Sequence, residues 1–114
     1  MTKPGLSIAI VGAGIGGLAA ASLLLKRGFN VTVYEQATRF ARVGAGIQQS
    51  PNVMKVHRGL GIEARLRQIA FTPNSSLNRD AHTGATTNEY PLGKDAEDRY
   101  GAPFLAMHRG DLHA

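Results

Sequence analysis

The sequence has no cysteine and no tryptophan, and only three tyrosines and four phenylalanines. Without cysteine, disulfides and thiolate metal sites are excluded, and a reducing, cytoplasmic compartment suits the chain. The four histidines, His57, His82, His108 and His113, lack metal-ligand spacing, so no metal is expected. Acidic residues number 8 against 13 basic ones, a formal charge of +5. That balance invites a nucleic-acid partner. However, Arg39, Arg42, Lys55, Arg58, Arg65, Arg67, Arg79 and Lys94 are scattered, with few aromatics between them, so solvated faces explain the charge and no nucleic acid is expected. No internal repeat or low-complexity tract is present. Neither is an acid–base dyad or nucleophile, and no catalytic residue is assigned.

What is there begins with Ser7 to Glu35, SIAIVGAGIGGLAAASLLLKRGFNVTVYE. Ile8 to Val11 form a short apolar run, expected of a parallel strand covered on both faces. Gly12, Gly14 and Gly17 fill a GxGxxG turn. Gly12 suits the tight turn, Gly14 lets a pyrophosphate approach the backbone, and Gly17 lets a helix pack near the sheet. The helix after the turn aims free N–H groups and its positive dipole end at that place. Leu18, Ala21, Leu24 and Leu25 are its expected inner face, and Gly28 its C′ residue. Val31 and Val33 alternate in a second strand. Glu35, directly after it, can accept both ribose hydroxyl protons of an adenosine and would repel a 2′-phosphate. The stretch reads as an ADP-binding βαβ unit, without deciding between FAD and NAD. Leu6 to Leu25 carries no charge and comes after Lys3, which superficially suits a signal peptide or membrane span. A buried strand and helix explain the same residues, so no membrane is expected.

Further along, Gln36 to Val43 reads as a surface loop. Ser50-Pro51 reads as a helix start, with Val53, Val56, His57 and Leu60 at helical spacing. Gly59 and Gly61 break that helix, and a shorter one is expected over Ile62 to Ala70, with Ile62, Leu66 and Ile69 inside. Ser76 to Ala81 and Ala85 to Pro91 read as a hairpin turning at Thr83-Gly84. Lys94 to Gly101 reads as a polar loop, with Asp95, Glu97 and Asp98 exposed. Phe104 to Met107 read as a strand, and Asp111 as a potential helix cap.

Three motifs then stand in order: GAGIGG with Glu35, Arg42-x-Gly44-Ala45-Gly46-Ile47 with Pro51-Asn52, and Met107-His108-Arg109-Gly110-Asp111-Leu112. Together they resemble the N-terminal segment of single-component FAD-dependent aromatic-ring hydroxylases, nearest the salicylate and 6-hydroxynicotinate group. The resemblance implies an α/β fold over residues 1–114. Residues 1–72 would be a Rossmann-like βαβ core with a parallel sheet and a helical segment. Residues 73–114 would be a hairpin opening a mixed sheet, and a strand leading to the third motif, with the rest of the fold absent.

The resemblance also implies roles. Gly12, Gly14, Ile15, Gly16 and Gly17 would hold the pyrophosphate, and Glu35 the ribose with Gln36 beside it. Arg42 would reach the ADP portion, Gly46, Ile47 and Gln48 would lie near the flavin ring, and Arg109 would contact FAD. A diphosphate needs such cationic partners. In the family NADH or NADPH reduces the flavin, which with O2 hydroxylates a small aromatic acid; the chain alone is expected to be inactive. Gln48 stands where 6-hydroxynicotinate enzymes have histidine. It can donate and accept hydrogen bonds but cannot titrate, which leaves other aromatic acids open. A homodimer is a further possibility, and exposed sheet edges and apolar surface would favour association. An NAD-binding dehydrogenase domain and a non-catalytic nucleotide-binding remnant are the rival readings.

Overall fold

The computed structural model describes residues 5–40 and 44–114. The order is β1 (Ser7–Val11), α1 (Ile15–Lys26), β2 (Asn30–Tyr34), β3 (Gly46–Gln49), α2 (Pro51–Leu60), α3 (Glu63–Ile69), β4 (Ser75–Arg79), β5 (Thr86–Pro91), α4 (Lys94–Tyr100), β6 (Leu105–His108) and α5 (Arg109–His113). Helices and strands alternate around a parallel β1–β2 pair, in register from Ser7 opposite Asn30 to Val11 opposite Tyr34. This is the α/β, Rossmann-like arrangement that the glycine turn implied. Leu6 to Leu25 is thereby split between a strand and a helix. Among the described residues no helix is long and apolar enough to cross a membrane.

In β1 and β2 alternate residues turn inward: Ile8, Ile10, Val31 and Val33 are half-buried. The opposite face is bare among the described residues, with Val11 89% and Tyr34 59% exposed. Coverage on both faces, expected from the apolar run, is therefore not found. Within α1, Ala21 is buried and Leu18 and Leu24 are half-buried, whereas Leu25 stands exposed in the last turn. Gly28 reverses the chain at φ 82°, as its C′ placement requires.

The apolar core lies elsewhere, where Met54 of α2, Leu66 of α3 and Ala102, Leu105 and Met107 of the β6 region meet, with Ile47, Ala70 and Leu112 against them. Met54 and Leu105 are fully buried, each contributing roughly 1.5–3 kcal/mol by leaving water. Ser50 is the N-cap of α2 and Pro51 its first residue, and Gly61 closes it in the left-handed region at φ 84°. Gly59 lies inside the helix and does not break it. The inward residues are Met54 and His57, with Val56 exposed. In the shorter α3 only Leu66 is buried; Ile69 and the N-cap Ile62 are each a little over a third exposed.

Two elements differ from expectation. Lys94 to Tyr100 is a helix and not a loop. Gly93 and Gly101 set its ends, Lys94 and Asp98 pair one turn apart, and Ala96 is its one buried residue. A helix exposed on nearly all sides shows no apolar stripe to read. Glu97 also pairs with Arg67 at 2.5 Å, both side chains staying about 40% exposed. The second is β3, in a stretch that the resemblance places near the flavin ring and that shows no strand pattern in the sequence. It pairs antiparallel with β6, Gly46 opposite His108 through Gln49 opposite Leu105. Phe71 bridges the other edge of β6 through two 2.8 Å bonds with Ala106.

The β4–β5 hairpin turns as expected, around Asp80, whose Oδ1 accepts from the Thr83 and His82 N–H groups at 2.8 and 3.0 Å. It projects from the body, and the radius of gyration is 17.8 Å, against about 13 Å for a compact chain of this length.

Candidate functional site

The glycine turn between β1 and α1 assigns a different task to each glycine. Gly12 has φ +100°, a conformation that side chains rarely adopt, and its N–H donates to the Tyr34 carbonyl at 2.7 Å. Gly17 faces the turn itself, and a Cβ there would sit 2.0 Å from the Gly12 carbonyl oxygen. Gly14 and Gly16 meet nothing: a Cβ on either would have no atom within 4 Å. Gly14 is the N-cap of α1 and brings no capping side chain. The N–H groups of Gly14, Ile15, Gly16 and Gly17 donate to no acceptor among the described residues. Four open donors at the positive end of a helix, with empty space above glycine, form a place for an anion.

Glu35 closes one side of this turn. Its Oε2 accepts from the Ala13 N–H and its Oε1 from the Ala37 N–H, each at 2.8 Å. These amides, Ala37 foremost, hold the carboxyl below its ordinary range. Each oxygen keeps a second lone pair for a further donor. Gln36 lies exposed beside it.

The second and third motifs, far apart in sequence, are joined by the β3–β6 pairing. Beyond the strands, the Arg109 N–H donates to the Ala45 carbonyl at 3.0 Å. The aliphatic stem of Arg109 lies over Gly44, where a Cβ would come 3.2 Å from Arg109 Cδ, and Gly44 has φ +128°. Arg42 lies outside the described residues. His108, and not Asp111, caps α5: its Nδ1 accepts from the Gly110 N–H at 3.0 Å.

From there α5 reaches the glycine turn. The His113 Nε2–H donates to the Ala13 carbonyl at 2.6 Å, and its ring meets Phe40 edge-on with centroids 4.3 Å apart. Leu112 and His113 share a cavity of about 100 Å³ with Ile15 and Leu18 of α1 and His57 of α2.

On β3 the alternation puts Gln48 outside and Gln49 inside. Gln49 is buried, gives its side-chain N–H to the Gln48 carbonyl at 2.9 Å, and through Oε1 accepts from His57 Nε2–H at 2.8 Å. His57 Nδ1 is buried without a partner among the described residues, and burial pushes the imidazole below its ordinary pKa. Gln48 borders a cleft of about 390 Å³ with Phe71, Tyr90, Phe104, Ser75 and Ser76. Among the described residues no group of three or more His, Asp or Glu side chains could hold a metal ion.

Of the positions singled out in the sequence, Gly12 to Gly17 and Glu35 thus form one cluster, and Gly46 to Gln48 with Arg109 form a second, linked by α5. His113 and the Gln49–His57 pair were not singled out. Neither is set off by spacing, since each acquires its partner through a contact that only folding creates.

The parallel β1–β2 pair, the glycine turn and the helix after it have a Rossmann-like arrangement, and a family model described as an NAD(P)-binding Rossmann-like domain matches residues 10–59. More particularly, the chain is 53% identical over 107 residues to 6-hydroxynicotinate 3-monooxygenase of Pseudomonas fluorescens, covering 94% of this chain and 28% of that protein. It is 42% identical over 113 residues to 3-amino-4-hydroxybenzoate 2-monooxygenase of Streptomyces cremeus, covering 99% and 29%. Among solved structures, Klebsiella pneumoniae HpxO complexed with FAD and uric acid superimposes with a TM-score of 0.81 at 27% identity, covering 95% and 27%. A tetrameric 2-methyl-3-hydroxypyridine-5-carboxylic acid oxygenase gives 0.79 at 25% identity, covering 96% and 27%. The resemblance to aromatic-ring hydroxylases drawn from the three motifs is borne out over the span they share. The chain covers a little over a quarter of the length of these curated relatives.

Proposed function

We propose that this chain is the FAD-binding segment of a cytoplasmic NAD(P)H-dependent monooxygenase that hydroxylates a small aromatic or N-heteroaromatic acid. The observation that carries the reading is the β3–β6 pairing, which brings Arg109 against Gly44 and joins both motifs to the glycine turn through α5. A dinucleotide turn alone is common to many nucleotide enzymes; the joined second and third motifs are what favour a flavin. Three of the relatives are, by name, oxygenases of a small aromatic or N-heteroaromatic acid, which supports the same class.

The residues fit the group. The space above Gly14 and Gly16 and the open N–H groups of Gly14 to Gly17 suit the diphosphate. Glu35 keeps lone pairs for ribose hydroxyls, and Gln36 lies beside it. Arg42 and Arg109 supply positive charge. Gly46, Ile47 and Gln48 line the flavin end, with Gln48 able to orient a polar substituent without exchanging a proton. When bound, FAD supplies the oxygen chemistry after reduction by NADH or NADPH; this chain's residues bind it, orient it and keep its diphosphate neutralised. The aromatic wall of Phe71, Tyr90 and Phe104 beside Gln48 suits a flat ring, while Gln48 leaves the particular acid open.

The test is titration of the chain with FAD, ADP and NADH. Quenched flavin fluorescence, weakened at least tenfold by Glu35→Ala, supports the reading. Tight NADH binding with no response to FAD would favour a dehydrogenase domain and overturn it.

A further inference from the structure

The peptide unit between Ala13 and Gly14 is held from a distance. Its carbonyl, on Ala13, accepts from His113 Nε2–H at 2.6 Å, across 100 residues of chain. The adjoining unit is held too, because the Ala13 N–H donates to Glu35 at 2.8 Å. Ala13 is buried, and His113 is braced by the edge of Phe40. The bond to that carbonyl bears on the other end of the same peptide plane. There sits the N–H of Gly14, the open donor at the helix N-cap.

Glycine tolerates positive φ as readily as negative. A rotation of the Ala13–Gly14 plane is therefore cheap at Gly14, and it would swing that N–H away from an anion. A hydrogen bond on the carbonyl opposes the rotation. It also polarises the peptide, which strengthens the N–H as a donor.

We infer that His113 is a positioning residue for the dinucleotide: it locks the Ala13–Gly14 peptide with the Gly14 N–H facing the phosphate place. The inference rests on the proposed nucleotide site, and it gives α5, which opens on Arg109, a second task through the residue just after the third motif. His113 touches no ligand; it acts through the backbone.

The experiment compares two variants in the 114-residue chain. His113→Phe keeps a ring against Phe40 and removes the donor; His113→Gln keeps a side-chain N–H of similar reach. Two readouts are taken on each, after urea denaturation confirms that both fold: the Gly14 amide by 1H–15N NMR with no nucleotide present, and the affinity for ADP. In His113→Phe the Gly14 amide should shift and exchange faster, and ADP should bind about tenfold more weakly, the factor that accompanies one lost hydrogen bond. His113→Gln should restore both to within about threefold. An unchanged Gly14 amide in His113→Phe, or equal losses in both variants, overturns the inference. Should the unaltered chain bind neither ADP nor FAD, the proposed function fails, while the amide readout still decides the lock.

Discussion

The sharpest test of the site separates glycines needed for folding from glycines needed for a ligand. At Gly17 a methyl group would lie 2.0 Å from the Gly12 carbonyl oxygen, where real Cβ atoms essentially never come within 3.0 Å. That carbonyl is backbone, so α1 must move away by an ångström or the turn must reopen. Overpacking of this kind costs about 1–3 kcal/mol, and the rigid neighbour puts Gly17→Ala at the upper end. The better helix propensity of alanine returns at most about 1 kcal/mol, leaving a net loss of roughly 2 kcal/mol. Gly14→Ala is the contrast. Its backbone, φ −69° and ψ 177°, is ordinary extended geometry, and its Cβ meets nothing. Only the poorer N-cap preference of alanine acts on folding, below about 1 kcal/mol. Yet that Cβ fills the space assigned to the diphosphate. Urea denaturation monitored by circular dichroism, with ADP titration alongside, should find Gly17→Ala destabilised and Gly14→Ala stable but at least tenfold weaker in binding. Wild-type affinity in Gly14→Ala would refute the assignment of the space. Wild-type stability in Gly17→Ala would refute the packing argument.

The Gln49–His57 pair should behave as a coupled unit: either leucine substitution alone strands a buried polar atom and costs about 1–3 kcal/mol, whereas the double variant costs less than their sum; additive losses in urea would refute the pairing. Because burial depresses the His57 pKa, the unfolded chain binds the extra proton, so this contribution is complete above about pH 6.5 and shrinks as pH falls. His57→Leu should remove that slope, measured as stability against pH. Glu63 is held at about 2 by Arg58 first and Arg67 next, so its stabilisation is present above about pH 4.5 and lost as pH falls toward 2. Glu63→Gln should flatten that limb and cost about 1 kcal/mol at neutral pH, since the arginines are partly solvated. The bare face around Val11 and Tyr34 should drive association, and Val11→Lys should lower the apparent mass in light scattering; unchanged mass would show that face to be uninvolved.

The βαβ unit was legible because its signals are local: glycine spacing, an apolar strand, and a carboxylate placed by the end of β2. The helix over Pro51 to Leu60 announced itself through Ser50 and Pro51, and the hairpin through Thr83-Gly84. By contrast β3, Gly-Ile-Gln-Gln, has no alternating apolar pattern, and it is a strand because β6 lies beside it. In α4 the charged residues carry no stripe, so its helical state rests on its glycine ends and on the Lys94–Asp98 pair. The apolar run of β1 promised two covered faces, but burial depends on neighbours that a strand does not encode. In the sequence His57 and His113 show no metal-ligand spacing, and His57 only a helical position. Their partners, Gln49 and Ala13, show how a neutral-looking histidine acquires a specific task.

The two grips on Ala13 also differ in when they can close. The Glu35 carboxylate lies 22 residues from Ala13 and the His113 imidazole 100 residues from it. Loop-closure entropy makes the longer connection costlier by roughly 1 kcal/mol. It further requires β6 to find β3, a non-local pairing of the kind that slows folding. Loop length and topology therefore favour closing the carboxylate side first and the imidazole side last. Until then the turn exists but its Ala13–Gly14 peptide lacks the His113 bond on the carbonyl side, so, on the proposed reading, the full strength of the grip on an anion is reached only when the chain end has docked.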